Sequence, residues 1–275
     1  MEVTCPSGLR GEIRKCKVRE IALFSDVKLL KQGRVSTEVV KSCWVKTLDP
    51  GPYPNVEVGS AFLPWDSMLH ADRDYVFKQI RIATFGPEFE WESQCPNCNH
   101  RFITEVNLNE LKVTPLPETS REHISQDVPF GCVVAGTKVR FRLLRASDDK
   151  RILDLTQKHN IPLVTAALMC RIVYVEGIDA DEPDMLREWV EELDVEVSNE
   201  LEERMDRQEA LLRTRFDSEC PRCNQEWTGT VPLIQSFARN GGKKPKKEFT
   251  QKSGDSSNKS STSSGSPQLS LEDPT

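Results

Sequence analysis

Two short stretches constrain this chain more than anything else in it: Cys95-Pro96-Asn97-Cys98 and Cys220-Pro221-Arg222-Cys223. A Cys-x-x-Cys turn sets two sulfurs on one side of an ion, and zinc takes four ligands in a tetrahedron. Each pair is therefore half of a site. The inner cysteines, Cys98 and Cys220, lie 122 positions apart. A shared ion would close a very long loop and dictate which parts of the chain meet.

The flanks say where these turns sit. Glu88 to Gln94 alternates, with Phe89 and Trp91 on one side and Glu88, Glu90 and Glu92 on the other, and Arg101 to Leu108 alternates again. Leu211 to Glu219 runs into the second pair in the same way, and Gln225 to Leu233 leaves it. Alternation at period two predicts strands, so each pair is expected at the tip of a hairpin. A redox Cys-x-x-Cys instead opens a helix after a strand. A single structural zinc held by Cys95, Cys98, Cys220 and Cys223 is the leading reading; bare reduced turns and a redox pair are the alternatives. His100 stands nearby as another ligand, but four thiolates already fill the shell, so it reads as an exposed turn residue. A closed four-sulfur shell has no open position to activate water, so the role of the ion is structural.

The rest of the chain reads as duplicated. Pro6 to Asp26 and Val134 to Asp154 each carry a glycine, an alternating apolar and basic run, then helical spacing. Strand, helical region, strand, Cys pair and strand recur in that order, which is the signature of an internal repeat. The expected fold class is α+β: two pseudo-repeated halves of short strands and helices, 1–110 and 132–239, joined through the zinc-ribbon-like four-cysteine site. The Pro-containing segment 111–131 is expected as a linker. Residues 240–275 are rich in Ser, Lys and Gly and poor in aliphatics, a composition expected to stay disordered.

Within the first half, Leu69, Val76, Ile80 and Ala83 share a helical face that Gly86 would end. In the second, the apolar run Ile161 to Val175 is expected as one helix from Pro162 to Val175. Met185, Leu186, Trp189, Val190 and Leu193 predict another helix, and Val197 to Leu212 a third, more polar one.

Composition excludes several classes. The net charge of −6 disfavours a general nucleic-acid binder, which needs a net basic face. No stretch approaches the ~20 apolar residues of a membrane span, and the amino terminus lacks the apolar core of a signal peptide. Nine scattered cysteines fit a reducing compartment better than a disulfide framework. No nucleophile elbow, His-Glu-x-x-His or phosphate loop is present, so an enzyme is not expected. The loop Ser42 to Pro54 carries Trp44 and Tyr53 among prolines, and two readings stand: a partner-binding loop with aromatic anchors, or a rigid loop packed on the domain.

Taken together, several segments resemble the T4-type baseplate hub proteins of tailed bacteriophages. They are Cys5 to Glu20, Ser42 to Tyr53, Asp72 to Cys98, Gly136 to Lys150, Val164 to Ile178 and the second Cys pair. The resemblance spans roughly Val3 to Leu233 and leaves the tail outside. It implies a non-enzymatic protein of tail assembly, binding other phage tail or baseplate hub proteins. Such a protein is made in the cytoplasm of the infected host and is a candidate component of the virion baseplate. A zinc-ribbon nucleic-acid-binding or transcription-associated protein is the alternative, favoured by the basic run Lys243 to Lys247 and opposed by Glu90, Glu92, Glu219 and Glu226 beside the metal turns.

Overall fold

A computed structural model describes residues 1–238 of the protein, and the tail expected from 240 onwards lies outside them. The described chain mixes helix and strand. It begins with β1 (Glu2–Thr4), β2 (Arg10–Ile13), α1 (Val18–Ala22), α2 (Val27–Lys31), α3 (Val35–Cys43) and β3 (Trp44–Asp49). Next come α4 (His70–Phe85), β4 (Glu88–Gln94), β5 (Arg101–Asn107), β6 (Val113–Thr114) and α5 (Glu118–Ser125). Then follow β7 (Phe130–Val134), β8 (Thr137–Phe141), α6 (Asp148–Lys158), α7 (Leu163–Arg171) and β9 (Ile172–Val175). The described part ends with α8 (Pro183–Glu191), α9 (Val195–Asp206), β10 (Leu211–Leu212), β11 (Arg215–Glu219), β12 (Glu226–Thr230) and α10 (Gln235–Ala238).

Two antiparallel three-stranded sheets, β1-β2-β3 and β7-β8-β9, are joined by a shared core. In each, the last strand continues a helix with no turn between them. Trp44 (φ −69, ψ 130) and Ile172 (φ −72, ψ 129) are extended, yet their N–H groups still reach Val40 and Leu168 in the helix behind. The run expected as one helix to Val175 is therefore helical only over Leu163–Arg171. Its last four residues include β-branched Ile172, Val173 and Val175, which suit a pleated surface. They pair with Val139–Phe141 and bury Ile172 and Val175.

The surroundings of the two junctions also correspond. Arg14 N–H donates to the Cys43 carbonyl at 2.9 Å, and Arg142 N–H donates to that of Arg171 at 2.8 Å. The Arg14 guanidinium pairs with Glu20 at 2.9 Å, and that of Arg142 with Asp148 at 2.7 Å. The offset is the same throughout, from Arg14 to Arg142, Glu20 to Asp148 and Cys43 to Arg171.

α4 lies in the shared core. Of the face its spacing predicts, Val76 and Ile80 are buried and Ala83 is half-buried, while Phe77, outside that face, is buried as well; Gly86 ends the helix at φ +90, a conformation that favours glycine. The segment 111–131 is built into the fold. It carries β6 and α5, buries Leu111, Leu116 and Ser120, and ties back through Leu116 N–H to the Pro6 carbonyl at 2.9 Å. The polar helix α9 stops at Asp206, because Leu211 and Leu212 leave it to pair with Thr114 and Val113.

Candidate metal centre

The hairpins β4-β5 and β11-β12 carry the two Cys pairs at their tips, as the alternation predicts. The last ladder pairs are Gln94 with Arg101 and Glu219 with Glu226. Both tips have the same turn. Cys95 N–H donates to the His100 carbonyl at 2.9 Å and Asn99 N–H to the Cys95 carbonyl at 3.0 Å. Cys220 N–H donates to the Gln225 carbonyl at 3.0 Å and Asn224 N–H to the Cys220 carbonyl at 2.9 Å. Asn99 (φ 57) and Asn224 (φ 55) take the left-handed conformation, which asparagine tolerates better than most residues.

The tips converge. Cys95 Sγ lies 3.7 Å from Cys223 Sγ, and Cys98 Sγ lies 3.7 Å from Cys220 Sγ. All four sulfurs fall within 4.8 Å of one another. A tetrahedron with Zn–S bonds of about 2.3 Å has edges of about 3.8 Å, so the donor set fits zinc in both type and spacing. The separations are far above the ~2.05 Å of a disulfide, and all four are free thiols. Cys95 and Cys220 are fully buried, while Cys98 and Cys223 are half-buried.

Electrostatics favour a cation here. The Gln225 backbone N–H, helped by the neighbouring thiols, draws the Cys223 thiol down to about 7. Cys98 also faces a backbone N–H, that of His100, yet desolvation and the three other sulfurs push it up to about 12. Four like charges cannot gather at this spacing unaided; a dication at their centre removes the conflict. His100 lies outside the sulfur cluster, and its ring stacks on Phe102 with centroids 6.2 Å apart.

Behind the sulfurs an aromatic row joins the hairpins. Trp91 stacks on Phe89 at 5.1 Å and meets Phe216 edge-on at 5.0 Å; Phe216 meets Trp227 edge-on at 5.7 Å. Phe89, Leu108, Leu111 and Val231 form a small core beneath them. The outer faces carry exposed Glu90, Glu92, Glu219 and Glu226.

Trp44 and Tyr53, read from sequence as candidate anchors for a partner, are core residues instead. Trp44 is 4 % exposed, sits edge-on to Trp65 at 5.3 Å and donates its indole N–H to Thr47 Oγ1 at 3.2 Å. Tyr53 is 8 % exposed, and its hydroxyl donates to Asp72 Oδ2 at 2.6 Å while accepting from Leu69 N–H at 3.2 Å. These polar tips find partners inside, so packing rather than surface display uses the loop. Sequence reasoning passed over Asp72 and Arg81, both fully buried. Arg81 Nε donates to the Ser236 carbonyl at 3.0 Å and its Nη1 to the Gly86 carbonyl at 2.7 Å, fastening the end of the described chain to α4. A partner as distant as Ser236 leaves no local signal.

No curated protein and no solved structure matches this chain. The family model described as T4 bacteriophage base plate protein matches residues 32–238, which takes in α3, both hairpins and all four clustered cysteines. The chain belongs to the T4 bacteriophage base plate protein family.

Proposed function

We propose that the chain is a non-enzymatic structural or assembly component of the phage baseplate hub. On this reading it binds other tail proteins, acts first in the cytoplasm of the infected host and enters the virion baseplate. Cys95, Cys98, Cys220 and Cys223 hold one structural zinc. The family match over 32–238 carries the baseplate reading. The sulfur spacing supports zinc, and a shell closed by four protein thiolates suits a brace better than a catalyst. We read 1–110 and 132–239 as pseudo-repeats; the paired helix-to-strand junctions and twin hairpin tips support this. The exposed glutamates around the tips oppose phosphate binding there.

Interrupting the gene in a phage that carries it tests the function. Electron microscopy of the lysate should show normal heads with tails that lack a complete baseplate, or free heads without tails. Infectious particles with complete baseplates would overturn the reading.

A further inference from the structure

Cys16 and Cys43 lie outside the four-cysteine cluster, with their sulfurs 3.9 Å apart. Cys16 follows β2 in the loop to α1, and Cys43 is the last residue of α3. The backbone around both is fixed. Cys16 N–H donates to Thr84 Oγ1 at 3.0 Å. Arg14 N–H donates to the Cys43 carbonyl at 2.9 Å, and Arg14 Nη2 to the Ser42 carbonyl at 2.6 Å. To bond, the two sulfurs must close from 3.9 Å to about 2.05 Å.

The second half offers an independent observation. The positions that correspond to Cys16 and Cys43 are Leu144 and Arg171. They are bridged by one carboxylate: Glu209 accepts from Leu144 N–H at 3.0 Å and pairs with the Arg171 guanidinium at 2.8 Å. The same loop-to-junction contact is thus fastened in the second half by an ion pair and a hydrogen bond. In the first half two thiols stand in that place.

We propose that Cys16 and Cys43 are a redox-active pair that a small-molecule disulfide, such as oxidised glutathione, converts to an intramolecular disulfide stapling the β2–α1 loop to the α3–β3 junction. Access sets the order of events. Cys16 is half-buried and Cys43 fully buried. The S–H of Cys43 holds the Cys16 thiol below its ordinary range, so Cys16 supplies the thiolate. It attacks one sulfur of the oxidant; that S–S bond breaks and one glutathione thiol leaves with a proton. Cys43, deprotonated as it attacks, then displaces the second glutathione from the Cys16 sulfur. Two protein thiols are oxidised and one glutathione disulfide is reduced to two thiols. The inference rests on this geometry and not on the baseplate reading.

The test uses the full, zinc-loaded chain, treated with oxidised glutathione, alkylated and digested for peptide mass mapping. The expected product is one cross-linked pair joining Cys16 to Cys43, lighter by two hydrogens than its reduced peptides, with the zinc content unchanged. The melting temperature of the oxidised chain should rise by roughly 5 °C and return on reduction, whereas Cys16→Ala should show no such rise. A lasting glutathione adduct on Cys16, full alkylation of both thiols, or cross-links confined to the four clustered cysteines would overturn the proposal. The peptide map of the unaltered chain decides the matter even if the variant fails to fold.

Discussion

Cys95 and Cys223 bring their sulfurs to 3.7 Å of each other across 128 positions of chain. Cys98 and Cys220 meet at the same distance, so the short contacts run between the hairpins. Neither pair completes a shell alone. The purified chain should therefore carry one zinc, read by elemental mass spectrometry. Cys95→Ser and Cys223→Ser should each lose it, although they lie on different hairpins. By chain entropy a cross-link closing a loop of this length contributes on the order of 4–5 kcal/mol. Metal removal should lower the urea midpoint accordingly. Two zincs per chain, or a melting curve indifferent to chelator, would contradict the shared site.

The aromatic row behind the sulfurs depends on a missing side chain. A Cβ at Gly229 would run into the Phe216 ring and crowd Trp227, whereas one at Gly131 would meet nothing. Overpacking of this kind costs about 1–3 kcal/mol. Gly229→Ala should destabilise the chain by that amount and weaken zinc retention against a competing chelator. Gly131→Ala should change neither by a measurable amount. Equal effects of the two substitutions would mean that the hairpins do not lean on this packing.

Glu20 carries the pH dependence of the first junction. Its side chain is 1 % exposed and accepts from Arg14 at 2.9 Å, Arg19 at 2.6 Å and Lys17 N–H at 2.7 Å. The Arg14 guanidinium leads in holding its carboxyl down at about 2, from an ordinary 4.5. A depressed carboxyl stabilises the fold above its unfolded value. That contribution is lost as pH falls from 4.5 towards 2. With solvent screening of the exposed Arg19, it amounts to about 2 kcal/mol. Glu20→Gln should lose it at neutral pH, and the gap to the unaltered chain should close in acid. A gap that holds constant down to about pH 2 would contradict the assignment.

What sequence could show here was local. Phe89 and Trp91 alternate with glutamates, so β4 was legible, and so was the hairpin tip that its Cys pair occupies. Val76, Ile80 and Gly86 marked α4 in the same way. The junction at Arg171 and Ile172 was not legible, because no glycine or proline breaks the apolar run. Only pairing with β8 turns its end into strand. The segment 111–131 looked like a linker because Pro115 and Pro117 punctuate it. Its anchors, Pro6 and Gln208, are remote in sequence. Trp44 and Tyr53 could have faced either way, since an aromatic among prolines suits both a binding loop and a packed one.

Tyr53 shows the consequence of such a remote partner. Its hydroxyl and the Ser7 N–H, at 2.6 and 3.0 Å, donate to the fully buried carboxylate of Asp72. Burial raises the Asp72 carboxyl above its ordinary value, and hydrogen bonds from the Ser7 side chain, the Tyr53 hydroxyl and the Ser7 N–H offset part of that rise. A raised carboxyl favours the fold when protonated, and this advantage fades as pH climbs through its folded value. Tyr53→Phe removes a donor to the charged form and raises the carboxyl further. At neutral pH the variant leaves a buried charge short of a partner, at a cost of about 2–3 kcal/mol. In acid, with Asp72 neutral, only an ordinary hydrogen bond is missing, worth about 1 kcal/mol. Urea denaturation of both chains near pH 7 and again in mild acid measures the difference, which should shrink as pH falls. A penalty that is the same at both would contradict a change in the Asp72 charge between the two conditions.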